Sequence, residues 1–278
     1  MAKMVFLTAA VLLAAFAAAP QQLTFASPQE AAHALVDAAG NADIAALKKI
    51  FGPEGATIVD SGDPQQDRER WAELDRLAAE KAEIRRDDAD RASILIGAAE
   101  RPFPVPVVWV NGRWKFDSPA GRAVVNSERI SANEATAIEF CLAYVDAQAA
   151  YRKVNGGGHY ARHLKELATD EPFPKPFTRA VSAMFAQGSK AVPYRGYYFR
   201  ILPPQAPEND RETADCPLVA YPARHGVSGI RTFLIDRQDI LYGKDLGQDT
   251  SRMASRMRHH DADAGWEPVN PPASRTRR

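Results

Sequence analysis

The chain has little cysteine and no excess of charge. Only 2 Cys occur among 278 residues, and 35 Lys+Arg balance 35 Asp+Glu. Two cysteines cannot build a disulfide-dense secreted scaffold. Neutrality argues against a nucleic-acid binder, which needs a local excess of Lys and Arg to neutralise phosphates. No apolar run beyond residue 19 is long enough to cross a bilayer, which takes about 20 residues. No Walker-type or dinucleotide-type glycine loop is present. What remains is an ordinary globular composition, with 45% hydrophobic and 25% charged residues. That excludes a collagen, a long coiled coil and a wholly disordered chain.

The first nineteen residues read as an address. Lys3 is their one charge, and the apolar run Met4 to Ala19 ends in small residues. A cationic start, an apolar middle and an Ala-x-Ala end describe a secretory signal peptide. Ala15-Phe16-Ala17 and Ala17-Ala18-Ala19 both fit the cleavage rule. The expectation is export to the periplasm or medium, with no membrane span after cleavage. In that setting Cys141 and Cys216 are expected to pair as a disulfide; two buried, unpaired thiols are the alternative.

The rest predicts an α+β protein in two parts. Residues 20–128 form the first. Ser27-Pro28-Gln29-Glu30 is a capping box with a helix-starting Pro. A short helix over 42–51 stops at Gly52-Pro53, and Asp63-Pro64 opens a third with Trp71, Leu74, Leu77 and Ala78 inward. Apolar runs at 92–98 and 105–110 follow, and Asn111-Gly112 marks a type I′ hairpin. That turn pairs the segment of Val108 and Trp109 with that of Trp114 and Phe116. Arg85-Arg86-Asp87-Asp88 reads as a charged hairpin tip. Helices followed by a bent antiparallel sheet resemble cystatin-like and nuclear-transport-factor-like cones.

Residues 129–265 form the second part. Ser131-Ala132-Asn133-Glu134 is another capping box, so the spacing predicts a long helix over 132–153, after a short connecting helix in 119–130. Ile138, Cys141, Leu142 and Val145 share one face. Strands at 197–202, 218–221, 230–236 and 240–242 imply an antiparallel meander behind that helix. Residues 248–258 add a small helix, and 266–278 read as a disordered tail.

Several segments together resemble the domain of unknown function 2950 family. They are Phe140-Cys141-Leu142-Ala143-Tyr144, Tyr194-Arg195-Gly196-Tyr197-Tyr198, Leu218-Val219-Ala220-Tyr221-Pro222 and Gly226-Val227-Ser228-Gly229. Ser27-Pro28-Gln29-Glu30 and the Ser61-Gly62-Asp63-Pro64 turn fit the same pattern. The resemblance covers nearly the whole mature chain; it implies a bacterial exported protein and no activity. The second half is also weakly similar to type IV pilin and pseudopilin heads.

Candidate chemistry is sparse. His159 and His163 are four apart, with Glu166 three further on, a spacing that holds a metal if the segment is helical. His259-His260-Asp261-Ala262-Asp263 is rich in ligands but lies near a polar terminus. Neither is assigned as a metal site, and no cofactor is implied. Ser228 in Gly226-Val227-Ser228-Gly229 lacks the strand-to-helix context of a hydrolase elbow and reads as a turn. No catalytic residue is assigned, and the reading leans against an enzyme. Trp71, Trp109, Trp114 and Phe116 are the candidate lining of an apolar pocket, although such residues also build cores. The expected function is a non-catalytic module of the cell envelope that binds or assembles with an envelope protein. A carrier of a small apolar ligand is the alternative, and an enzyme with an unrecognised site is the third.

Overall fold

The computed structural model describes residues 21–156, 159–168, 173, 175–188, 190–203, 216–236, 238–258 and 265–270. The expected signal peptide, the 259–263 cluster and residues 271–278 lie outside them.

The first half is a helical layer on a sheet. Helices α1 (Pro28–Gly40), α2 (Ile44–Phe51), α3 (Ala56–Val59) and α4 (Pro64–Glu80) precede the strands. The Ser27 hydroxyl caps α1 by accepting the Glu30 amide at 3.1 Å, and Glu30 Oε2 accepts the Ala26 amide. Strands β1 (Ala82–Arg86), β2 (Arg91–Ile96), β3 (Arg101–Pro102), β4 (Val107–Val110) and β5 (Arg113–Phe116) follow. They form an antiparallel sheet in the order β1-β2-β4-β5, with β3 on β2. Asn111 and Gly112 take positive φ of 52° and 78°, as a type I′ turn requires, and Trp109 faces Trp114 across it. The helices and sheet share one core containing Leu35, Phe51, Trp71, Ile94 and Phe116.

A single helix, α5 (Ser118–Val154), leaves this sheet and enters the second half. Its 37 residues span about 55 Å at 1.5 Å per residue. The expected break and second helix start at Ser131 are corrected by this continuity. Two groups of that presumed capping box do other work. Glu134 Oε1 accepts the Ile230 and Arg231 amides, each at 2.9 Å, and Asn133 Nδ2 donates to Ser228 O at 2.9 Å. Buried positions recur every three or four residues along α5: Ser118, Gly121, Val125, Arg129, Asn133, Ala137, Cys141. One stripe therefore serves both halves; Val125 belongs to the first core and Ala137 to the second.

The second half continues with α6 (Lys175–Met184) and the strands β6 (Tyr197–Ile201), β7 (Leu218–Pro222), β8 (Arg231–Ile235) and β9 (Leu241–Asp245), then α7 (Thr250–Arg256) and β10 (Glu267–Pro268). The sheet order is β10-β9-β8-β7-β6, all antiparallel. Leu218, Ala220, Phe233 and Ile235 face α5 and α6, while Val219 and Leu234 alternate to the α7 side with Ala254. The start of the expected tail is thus ordered: β10 pairs with β9, and Trp266 and Val269 pack on the cores. The protein is α+β, with two antiparallel sheets. Among the described residues, no helix is long and apolar enough to cross a membrane.

The cysteines are both buried and are not bonded to each other, which corrects the expected disulfide. Tyr144, one turn after Cys141 on α5, donates its hydroxyl to Cys216 O at 2.6 Å, so this helix face and the entry to β7 meet without a covalent bridge between the sulfurs.

Candidate functional site

A cleft of about 560 Å³ lies between α4 and the first half of α5. Ligand pockets commonly occupy roughly 300–1,000 Å³. Two helical stripes form its walls. Asp67, Arg70, Trp71 and Leu74 recur at i, i+3, i+4 and i+7 on α4, and Val125, Glu128, Arg129, Ala132 and Asn133 at i, i+3, i+4, i+7 and i+8 on α5. Phe103 and Pro104, after β3, add an apolar wall. The Arg195–Glu69 ion pair at 2.7 Å lies at its rim.

The polar groups inside are unevenly matched. Arg129 is buried and donates from Nη1 to Thr57 O at 2.9 Å and to Asn126 Oδ1 at 3.1 Å. Arg70, half-buried, donates from Nη1 to Ile58 O at 3.1 Å, and its guanidinium stands 5.3 Å from the Trp71 ring centroid. Burial, and then the like charge of Arg129, bring the Arg70 guanidinium down to about 10. Burial lowers Arg129 too. Asp67 accepts the Ser61 amide at 2.9 Å, yet burial still raises its carboxyl above the usual range. Trp71 Nε1 is buried and has no hydrogen-bond partner among the described residues.

Of the expected pocket residues, only Trp71 lines this cleft. It also stacks on Phe51 at 6.1 Å, and Phe51 meets Phe116 at 5.2 Å. Trp114 and Phe116 are core residues, while Trp109 is 43% exposed beside Trp114. The structure does not gather the four around one cavity. Arg70, Arg129 and Asp67 were missed because a charged residue on a helix ordinarily counts as solvated face. Their spacing, in register with Trp71 and Val125, was the available signal.

The other candidates separate. Residues 159–163 are not helical, and only Leu164–Leu167 forms a 3₁₀ turn. His159 and His163 therefore do not share a helix face, and Glu166 accepts the Arg162 amide at 3.1 Å. Among the described residues, no group of three or more His, Cys, Asp and Glu could hold a metal. Ser228 is fully buried, and its hydroxyl bonds the Arg224 amide and carbonyl. The nearby His225–Asp245 pair, at 2.8 Å, thus has no nucleophile in Ser228.

Three turns that carried the family resemblance meet beside the cleft. Asp63 Oδ2 accepts the Gly196 amide, Gln66 Nε2 donates to Asn133 Oδ1 at 2.6 Å, and Asn133 continues to Ser228 O. Arg224 reaches Asp60 O at 2.8 Å. These bonds tie the two sheets' turns to the shared helix.

A family model described as "Protein of unknown function (DUF2950)" matches residues 22–269. No curated protein and no solved structure gives a match.

Proposed function

The chain belongs to the DUF2950 family of proteins of unknown function, and from that premise we propose that it is a non-catalytic binding module of the cell envelope that carries a small, largely apolar ligand. The single observation behind this reading is the cleft between α4 and α5, walled by Leu74, Leu77, Phe103, Pro104 and Val125. Polar and charged side chains share the lining with these apolar ones and could orient a ligand. Export is supported by the Lys3 start and the apolar run to Ala19.

The neutral fluorescent probe N-phenyl-1-naphthylamine tests the reading. Saturable binding of one probe per chain is expected. Ala132→Trp fills the cleft from an exposed position, and it should abolish the signal while leaving the fold intact by circular dichroism. Absence of saturable binding, or equal binding by the variant, refutes it. N-terminal sequencing of the protein recovered from producing cells tests export separately; a retained Met1 defeats it.

A second reading has its own observation. Trp109 and Val110 are exposed together beside the β4–β5 turn, and such a tip favours docking on an envelope protein.

A further inference from the structure

We propose that the outer edge of β1 is a self-association site, where two copies of this chain join their β1 strands antiparallel about a two-fold axis at Ile84.

The backbone supplies the first observation. β1 ends its sheet, and β2 occupies one of its two sides. At its two ends, the Asp87 amide donates to Arg91 O at 3.1 Å and Lys81 O accepts the Gly97 amide at 2.9 Å. Antiparallel bonding alternates along a strand, so the odd positions from Lys81 to Asp87 bond towards β2. The N–H and C=O groups of Ala82, Ile84 and Arg86 then point to the outer side. Among the described residues, no hydrogen bond reaches those groups there. The strand is exposed along its length, with Ile84 alone half-buried. Such an edge is a template for another strand.

The side chains select a second copy as that strand. Lys81, Glu83, Arg85 and Asp87 alternate in sign along one face: Lys81 Nζ lies 3.3 Å from Glu83 Oε2, and Arg85 Nε lies 3.0 Å from Asp87 Oδ1. Ile84 takes the other face, against the first core. Pairing about Ile84 sets Glu83 against the partner's Arg85 and Lys81 against the partner's Asp87, and by symmetry the reverse. Every such pair is of opposite charge, and all fall at non-hydrogen-bonded positions, where cross-strand side chains stand closest. Lys81 is also shared with Glu100 at 2.6 Å, so the central Glu83–Arg85 pairs contribute most to the register. Ala82 meets the partner's Arg86, and Ile84 meets the partner's Ile84. These are the positions with outward backbone groups, so each pair exchanges two hydrogen bonds.

Charges on an edge ordinarily keep copies apart. Here they do so in the wrong registers only. A shift of two residues keeps the hydrogen-bond phase but sets Glu83 against the partner's Glu83 in one direction, and Arg85 against the partner's Arg85 in the other. The four charges cancel, so the strip does not recruit a strongly charged partner. A two-fold pair uses both edges and closes. The contact is one short strand from each copy, so the dimer is weak and reversible.

Sedimentation velocity of the purified chain across the micromolar range tests this. A concentration-dependent monomer–dimer equilibrium is expected. Hydrogen exchange at dimer concentrations should slow the Ala82, Ile84 and Arg86 amides, while the Glu83 and Arg85 amides, already bonded to β2, change little. Glu83→Arg should raise the dissociation constant at least about tenfold. Adding Arg85→Glu restores opposite charges between copies but places like charges side by side along each strand. Recovery of the dimer in the double variant therefore reports contacts between copies. Equal association by Glu83→Arg, or no recovery in the double variant, overturns the proposal. So does a dimer whose outer-edge amides exchange as in the monomer, or an open-ended assembly. A chain that stays monomeric to about 1 mM also overturns it and leaves the edge to a foreign strand. The exchange measurement on the native chain holds whether or not the variants fold.

Discussion

Asp63 Oδ2 accepts the Gly196 amide at 2.9 Å, while Oδ1 of the same carboxylate caps α4 through the Gln65 and Gln66 amides, each at 3.1 Å. One buried side chain thus starts the helix that walls the cleft and fixes that helix to the turn before β6. The position of α4, and with it the shape of the cleft, depends on the second half of the chain.

Replacement of Gly196 tests this dependence. Gly196 has φ of +75°, and a Cβ there would overlap Asn133 Nδ2. Gly196→Ala is expected to lower stability by about 1–3 kcal/mol, from overpacking and left-handed strain. Urea unfolding followed by both tryptophan fluorescence and far-ultraviolet circular dichroism should show transitions that coincide in the native chain and separate in the variant. Coincident, unshifted transitions would contradict the junction described.

Gly121 offers a case where local propensity and packing disagree. Alanine in a helix interior is ordinarily better than glycine by roughly 1 kcal/mol. At Gly121, however, a Cβ would lie 2.5–2.7 Å from three Val105 side-chain carbons. Gly121→Ala should destabilise by about 1–3 kcal/mol, and the double variant with Val105→Ala should recover part of that loss. Stabilisation by the single variant would show that α5 does not pack on Val105 as described.

The two thiols, not bridged to each other, give a chemical test. Denatured, unreduced protein is expected to release two thiols per chain to Ellman's reagent. In the native state Cys216 should react first: Arg162 Nη1 donates to its sulfur at 2.7 Å, and it lines a small surface cavity with Tyr160 and Asp236. Burial pushes the Cys141 thiol far up, so it should react only on unfolding. Zero thiols would restore the disulfide.

Asp67 predicts a pH signature. Burial raises its folded carboxyl above the ordinary value of about 3.9. The native state then holds this proton more tightly than the unfolded one. The contribution of Asp67 to stability is greatest below the ordinary value and declines as pH rises through the folded value. Asp67→Asn cannot titrate, so it should gain on the native chain between acid and neutral pH. Urea unfolding at both ends of that range reads the difference; a constant gap, or the opposite slope, would rule this out.

Local signals in the sequence translated directly into structure where one short segment decided the outcome. The Ser27 cap, the Asp63 cap and the Asn111-Gly112 turn all form as their residues dictate. Ser131-Ala132-Asn133-Glu134 misled because a capping box is read locally, while Asn133 and Glu134 bond residues almost a hundred positions away. The disulfide failed for a related reason: the buried face of Cys141 was legible, but the approach of one helix position to the start of one strand is written in neither local pattern. The cleft escaped notice because its charged pair belongs to two helices, and no single period shows two stripes meeting.

Helix α5 has a consequence for the order in which the chain can fold. Its first half completes the earlier core as soon as Val125 is available, so that unit can close while the chain is still being made. The same rigid rod then holds out Ala137, Phe140, Cys141 and Tyr144, whose partners on β6, β7 and β8 arrive much later. Until Phe233 and Ile235 emerge, that stripe is an uncovered apolar ledge on an already folded body. This interval is when the protein is most exposed to aggregation and most in need of a chaperone.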